Sequence, residues 1–361
     1  MHRAEVQLES RVGVPPPGCK PPDSPATPTP PRGATPPTPP ARRAKPPRRP
    51  SGLPPRFVPY ALLLPGLLVI AVLLLYPLYQ MVDMSFHKVG LRQIRPRNPL
   101  PAEFVGADNY TAALQSDLFG VSVRNTVIFA VVTVALTLVL GTLVGLLLHK
   151  LGPKMSTTVI VGTMAAWAVP PTSAAVVWKW LFDADAGVIN WFLNLLPDWF
   201  SQLLFGRAEW AGVPWLNDPL DIYFVLVVTV VWASFPFIGV SILAGLKSIP
   251  SELYEAARVD GSTAFQTFRK ITFPLLRPVF SVLVVLSIIW DFKVFTQLFI
   301  LAGGTNMPRE AFNFSVWSYI EAFSPPPDMG LGSAIAVVLT VILLLITFVY
   351  VRQIVKTEDV R

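Results

Sequence analysis

The sequence predicts an all-α membrane protein of six transmembrane helices, with a cytoplasmic loop ahead of the fifth and a disordered Pro-rich N-terminal tail. Three observations predict it. Of 361 residues, 52% are hydrophobic and only 14% are charged, where a soluble protein has about a quarter charged. Six apolar stretches, near 58–80, 121–148, 157–182, 221–245, 279–302 and 331–352, reach the roughly 20 residues that cross a hydrocarbon core about 30 Å thick. The net charge of +7 lies wholly ahead of them, because residues 1–56 hold ten Lys/Arg against three Asp/Glu and the remainder holds nineteen of each. A nucleic-acid-binding surface needs its charge on a folded face, so no nucleic-acid partner is expected.

The tail comes first. Eighteen of the 38 prolines fall within the first 55 residues, and a segment this poor in core-forming side chains is expected to stay disordered with polyproline character. Its Arg42, Arg43, Lys45, Arg48 and Arg49 precede the first span, where basic residues hold a terminus in the cytoplasm or meet anionic membrane lipid. The first span starts too far from Met1 for an ordinary signal peptide, and no small-residue cleavage site follows it. With the N-terminus inside, twenty Lys/Arg fall on the cytoplasmic side and six outside, which places both termini in the cytoplasm, including 357–361. The outer loop 183–220, with Trp191, Trp199, Trp210 and Trp215, suits short interfacial helices. Lys179 between Trp178 and Trp180 is expected to snorkel into the headgroups.

The loop 246–278 is too polar to cross and too patterned for a linker. Pro250 ends the fourth span, Ser251 is a good N-cap for 252–259, Gly261 permits a reversal that a side chain obstructs, and Ser262 caps a second short helix through Lys270. Pro274 and Pro278 mark entry into span five. On the first short helix Leu253, Ala256 and Ala257 give an apolar small-residue side, and Glu255 a charge for docking in a partner's groove.

Span five carries Asp291 and Lys293 at a depth where ionisable groups face a cavity or a partner. Two positions apart they diverge by about 200° and cannot pair. Ser287, Trp290, Asp291 and Val294 follow i, i+3, i+4, i+7, placing a hydroxyl, an aromatic plate and a carboxylate on one face. That combination suits a sugar, which offers an apolar C–H face and a rim of hydroxyls. Span four adds Ser234 and Phe237 beside Pro236, whose missing N–H frees a carbonyl. Helix packing is the competing account of the stripe.

Glu255-Ala256-Ala257, Gly261 after three more residues, then Ile271 and Pro274 resemble the EAA loop of the permease subunits of bacterial ATP-binding-cassette (ABC) importers. Phe273 stands where leucine is usual. FVGADNY at 104–110, RNT at 124–126, VPPTSAAVVWKWLFDADAGVIN at 169–190 and FKVFTQLFILAGGT at 292–305 are similar to the carbohydrate branch, the maltose/lactose/glycerol-phosphate type, and more to its F-like first permease. Thr305 stands where proline is commoner. The resemblance covers 57–356 and implies the type I permease fold, in the inner membrane, with Glu255, Ala256, Ala257, Asp260, Gly261, Ile271 and Pro274 coupling to an ATPase. It further implies a second permease in a heterodimer, a cytoplasmic ATPase dimer and an extracytoplasmic sugar-binding lipoprotein. By matching WASFPF and SIIWDFKVF, it puts Ser234, Phe237, Ser287, Trp290, Asp291 and Val294 at substrate contacts.

Catalysis by the chain is not expected. It lacks a Gly-x4-Gly-Lys-Ser/Thr loop, a G-x-S-x-G elbow and an HExxH helix, so ATP belongs to the partner and no cofactor is bound here. One cysteine, Cys19, and three histidines argue against a disulfide or a metal centre. The alternative from another class is a proton-coupled secondary transporter using Asp291, which calls for a repeated broken-helix pattern in the first half; none is present in the sequence.

Overall fold

The computed structural model describes residues 58–95 and 100–358. The expected disordered tail, 1–56, and the extreme C-terminus lie outside the described residues. Chain contacts divide the protein into Met1–Ala61, of which only the opening turn of the first helix is described, and Leu62–Arg361.

The first helix, α1 (Val58–Ile70), passes through a π-helical segment, Ala71–Leu75, into α2 (Tyr76–Ser85). A two-residue antiparallel ladder, β1 (His87–Lys88) on β2 (Glu103–Phe104), and α3 (Asp108–Gln115) lead to α4 (Asp117–Lys150). Next come α5 (Pro153–Trp167), α6 (Pro171–Leu181), the loop helices α7 (Val188–Leu193) and α8 (Asp198–Phe205), and α9 (Pro219–Lys247). The loop helix α10 (Ser251–Val259), α11 (Ala264–Thr267), α12 (Phe273–Phe292), α13 (Thr296–Leu301), α14 (Phe314–Phe323) and α15 (Met329–Glu358) complete the chain.

Among the described residues, five helical paths are long and apolar enough to cross a membrane: Leu62–Ser85, Asp117–Lys150, Pro219–Lys247, Ala264–Phe292 and Met329–Arg352. The sixth expected span, 157–182, is a bent pair, with α5 and α6 meeting at 90°. Val169-Pro170-Pro171 explains the bend. Proline pushes its predecessor out of helical geometry and removes an N–H, while Pro171 at the first turn of α6 suits a new start.

Helices α4 and α9 lie against each other, and Gly141 and Gly145 set how closely. A Cβ on Gly141 comes within 2.5 Å of Ile238, and one on Gly145 within 2.9 Å of the Gly239 carbonyl. Lipid tails are as apolar as leucine, so such van der Waals contact, not water exclusion, holds membrane helices together. The main core gathers Phe129, Leu226, Leu298, Trp317 and Ile335 from five helices; a second cluster joins Ile238, Ile242 and Leu246 of α9 to Leu276 and Leu283 of α12.

Sequence motifs in the loops and near the span ends act as ties. Asn109 Nδ2 donates to the Ser85 and His87 carbonyls at 2.9 and 3.0 Å, and Tyr110 shares a 2.6 Å hydrogen bond with Ser85. Asn125 Nδ2 donates to the carbonyls of Glu310 and Phe312, and the Phe314 N–H donates to Thr126 Oγ1. In the outer loop Trp210 and Trp215 stack at 5.6 Å, and the Trp215 indole N–H donates to Asn190. These two tryptophans build the loop's own core, whereas Trp191 (63%) and Trp199 (69%) keep the exposed face expected of interfacial residues. Lys179 departs from expectation: its Nζ donates to the Ile300 carbonyl at 3.1 Å, tying α6 to α13 instead of reaching for headgroups.

Candidate coupling loop and substrate pathway

The candidate coupling loop is built on a helix that ends by a Schellman motif. The Ser262 N–H donates to the Ala257 carbonyl at 2.9 Å and the Gly261 N–H to the Arg258 carbonyl at 3.1 Å, with Gly261 at a φ of 70°. A Cβ there meets nothing within 4 Å. A side chain obstructs this reversal through the left-handed backbone, which strains any L-residue, and not through lack of room.

Helix α10 turns Ala257 inward, 5% exposed, and leaves Glu255, Ala256 and Asp260 exposed, with Leu253 at 41% beside them. Tyr254 faces inward too and shares a 3.3 Å contact with the Thr272 hydroxyl. The caps differ from those read in the sequence. Pro250 occupies the N-cap position of α10 with Ser251 already helical, and Thr263, not Ser262, caps α11 in a reciprocal capping box with Gln266. Thr263 wins because Gln266 stands three residues on, where it reaches back to the Thr263 N–H at 2.8 Å. The second loop helix is also not separate: Ala264 to Phe292 is one path through a π-helical turn, Phe268–Thr272. Half-buried Ile271 and exposed Pro274 lie where that path passes from loop to span.

Span five ends earlier than expected. α12 stops at Phe292, and Lys293 to Phe295 break the helix before α13, so the expected 279–302 span divides in two. Asn313 explains how the break is tolerated. Its Nδ2 donates to the Val294 carbonyl at 2.7 Å while its Oδ1 accepts from the Val316 N–H at 2.9 Å, capping α14. Lys293 is exposed at the C-terminal end of α12, where a cation complements the helix dipole.

The break splits the expected stripe. Ser287, Trp290 and Asp291 share α12, but Val294 lies beyond its end. Ser287 (5%), Asp291 (4%) and Val294 (8%) are buried within the chain, and Val294 belongs to the main core. Trp290 is half-buried and meets Phe237 of α9 edge-on, ring centres 5.3 Å apart. Trp167, at the end of α5 just before the bend, stacks on Phe237 at 5.8 Å and is 45% exposed. Ser234 is half-buried one turn from Phe237. The structure therefore joins Phe237 and Trp290 across two spans and adds Trp167, which the sequence reading missed; its only signal was an aromatic residue next to a double-proline break. Among the described residues no cluster of three or more His, Cys, Asp or Glu is placed to hold a metal.

Residues 138–357 match the family described as binding-protein-dependent transport system inner membrane component. The chain is 37% identical over 302 residues to the diacetylchitobiose uptake system permease protein DasB of Streptomyces coelicolor, a match covering 83% of this chain and 88% of that one. It is 33% identical over 300 residues to the trehalose/maltose transport system permease protein MalF of Thermococcus litoralis, covering 81% and 92%. Its fold is similar, with a TM-score of 0.65 at 22% identity, to a chain in the crystal structure of a bacterial ABC transporter involved in the import of the acidic polysaccharide alginate, covering 82% of this chain and 96% of that one. The match to the family model over most of the chain, with relatives above 30% identity along more than two thirds of it, shows that this chain belongs to the binding-protein-dependent transport system inner membrane component family, the multi-pass, non-catalytic permease subunits of ABC importers.

Proposed function

We propose that the chain forms one half of the path of an ATP-driven importer of sugars or oligosaccharides, paired with a second, different permease chain. A cytoplasmic ATPase dimer receives α10 through Glu255, Ala256 and the Gly261 turn, with Asp260 at the turn and Ala257, Ile271 and Pro274 shaping its base. An extracytoplasmic sugar-binding lipoprotein delivers the substrate, and both termini face the cytoplasm. ATP is bound by the partner, and this chain carries no cofactor.

The observation that carries the sugar reading is the aromatic trio Trp167, Phe237 and Trp290, drawn from three successive spanning elements, with Ser234 one turn away. Two relatives named for disaccharide transport add to it. Ser287, Asp291 and Val294 take part from behind, on the buried face of α12 and at its end, where they fix the presentation of Trp290. A proton-coupled role for Asp291 finds no support, since the family it belongs to is the permease component of ABC importers.

The test is purification of the tagged chain from its own membranes in mild detergent, followed by mass spectrometry. An ABC ATPase, a second six-span permease and a lipid-anchored binding protein are expected, and ligand screening of that binding protein then names the sugar. A lone chain or a homodimer, under conditions that keep other importers whole, overturns the heterodimer.

A further inference from the structure

We infer that the cavity between α2, α14 and α15 is a second saccharide subsite, an entry station that takes one neutral pyranose unit before the aromatic trio at Trp290; this rests on the sugar-importer reading above. The cavity measures about 350 Å3, within the roughly 300–1,000 Å3 of small-molecule sites. Phe295, Tyr319 and Phe323 line it, with Met81, Met84 and Ser333 opposite and alongside.

The rings form a ladder. Phe295 lies 5.1 Å from Phe299 and 4.9 Å from Tyr319, and Tyr319 lies 5.1 Å from Phe323, which is 59% exposed. Rings held by one another lose little freedom when a ligand lands on them, and their faces suit the C–H face of a pyranose. Hydroxyl chemistry stands beside them. Ser318 Oγ donates to the Gly332 carbonyl at 2.8 Å, which leaves its lone pairs to accept, and the Ser333 and Tyr319 hydroxyls have no hydrogen-bond partner among the described residues. No Asp, Glu, Lys or Arg lines the cavity. Rings and hydroxyls without charge select a neutral saccharide over an anionic one.

Placement agrees. Phe295 is the last residue of the break that follows Asp291, and Ser315, also in the lining, reaches the Phe292 carbonyl. With cytoplasmic termini, α14 and the facing ends of α2 and α15 are extracytoplasmic, so the cavity opens where a delivered sugar arrives.

Cys19 is the only cysteine, so Cys19→Ser with Ser333→Cys gives one reporter thiol. The assembled complex is treated from outside with a membrane-impermeant maleimide, with the binding protein and, in turn, maltose, trehalose or diacetylchitobiose. Labelling is expected, and is expected to slow with the sugar that the wild type takes up and not with the others. Tyr319→Ala is expected to raise KM for uptake about tenfold with kcat within about twofold, while Tyr319→Phe, which keeps the ring and loses the hydroxyl, is expected to raise KM by a smaller factor, about threefold. Labelling indifferent to the transported sugar, or an unchanged KM in Tyr319→Ala, overturns the subsite. So does absence of labelling, which means that the second permease covers the cavity. If the wild type takes up none of these sugars or longer neutral ones, the sugar reading itself fails; the subsite alone fails when the wild type transports and the variants do not differ from it.

Discussion

At Gly261 a single dihedral decides whether α10 can end. An L-residue at a φ of 70° costs about 1–2 kcal/mol, more with a β-branch, and least for Asn. Gly261→Val is therefore expected to cut uptake by about tenfold or more while the protein still reaches the membrane, and Gly261→Asn to keep most of it. Equal loss in both variants contradicts the backbone account, because Asn tolerates the conformation and fills the same open space. Trp290 tests the other end of the chain of events. Trp290→Ala removes the plate that meets Phe237 and is expected to reduce sugar uptake about tenfold with ATPase association unchanged by co-purification. Full uptake in that variant returns the trio to helix packing. Both residues were legible in the sequence, Gly261 from its spacing after Glu255-Ala256-Ala257 and Trp290 from its place in a polar stretch of span five. Trp167 was not, because nothing local says that the ring beside a proline bend will lie on a ring in another span.

At the scale of elements, the apolar runs foretold where helices cross to within a few residues for spans two, four and six. Span five was misread because hydropathy continues through the break: residues 294–302 are as apolar as those before, and apolar content does not report whether backbone hydrogen bonds continue. The break is held from outside the segment by Asn313. Asn313→Ala strands the Val294 carbonyl and the Val316 N–H in a buried site, at a cost of about 1–3 kcal/mol. A lowered thermal midpoint in detergent is expected; a midpoint equal to wild type means that water replaces the side chain there. The same reasoning explains the loop caps. Ser262 and Thr263 are both good capping residues, and only the reciprocal bond to Gln266 chooses between them.

At the scale of the whole molecule, the chain presents apolar surface that a soluble protein buries. Across Leu62–Ser85, Leu62, Leu73 and Tyr79 are 76%, 66% and 66% exposed, as suits helices solvated by lipid or by a second permease. The tail is expected to be dispensable for transport: deletion of residues 1–50 should leave uptake at the wild-type level, and loss of uptake with normal membrane insertion assigns the tail a working partner. Alone, the sequence determined the membrane class and the approximate spans, and it marked the loop 246–278 as the candidate for coupling, because those depend on composition and on residues close together along the chain. Tertiary structure decided the 90° bend between α5 and α6, the end of α12, the inward burial of Asp291 and the meeting of Trp167, Phe237 and Trp290. Each of these depends on which helix faces which, and hydropathy, being a property of one segment at a time, carries no information about the segment across from it.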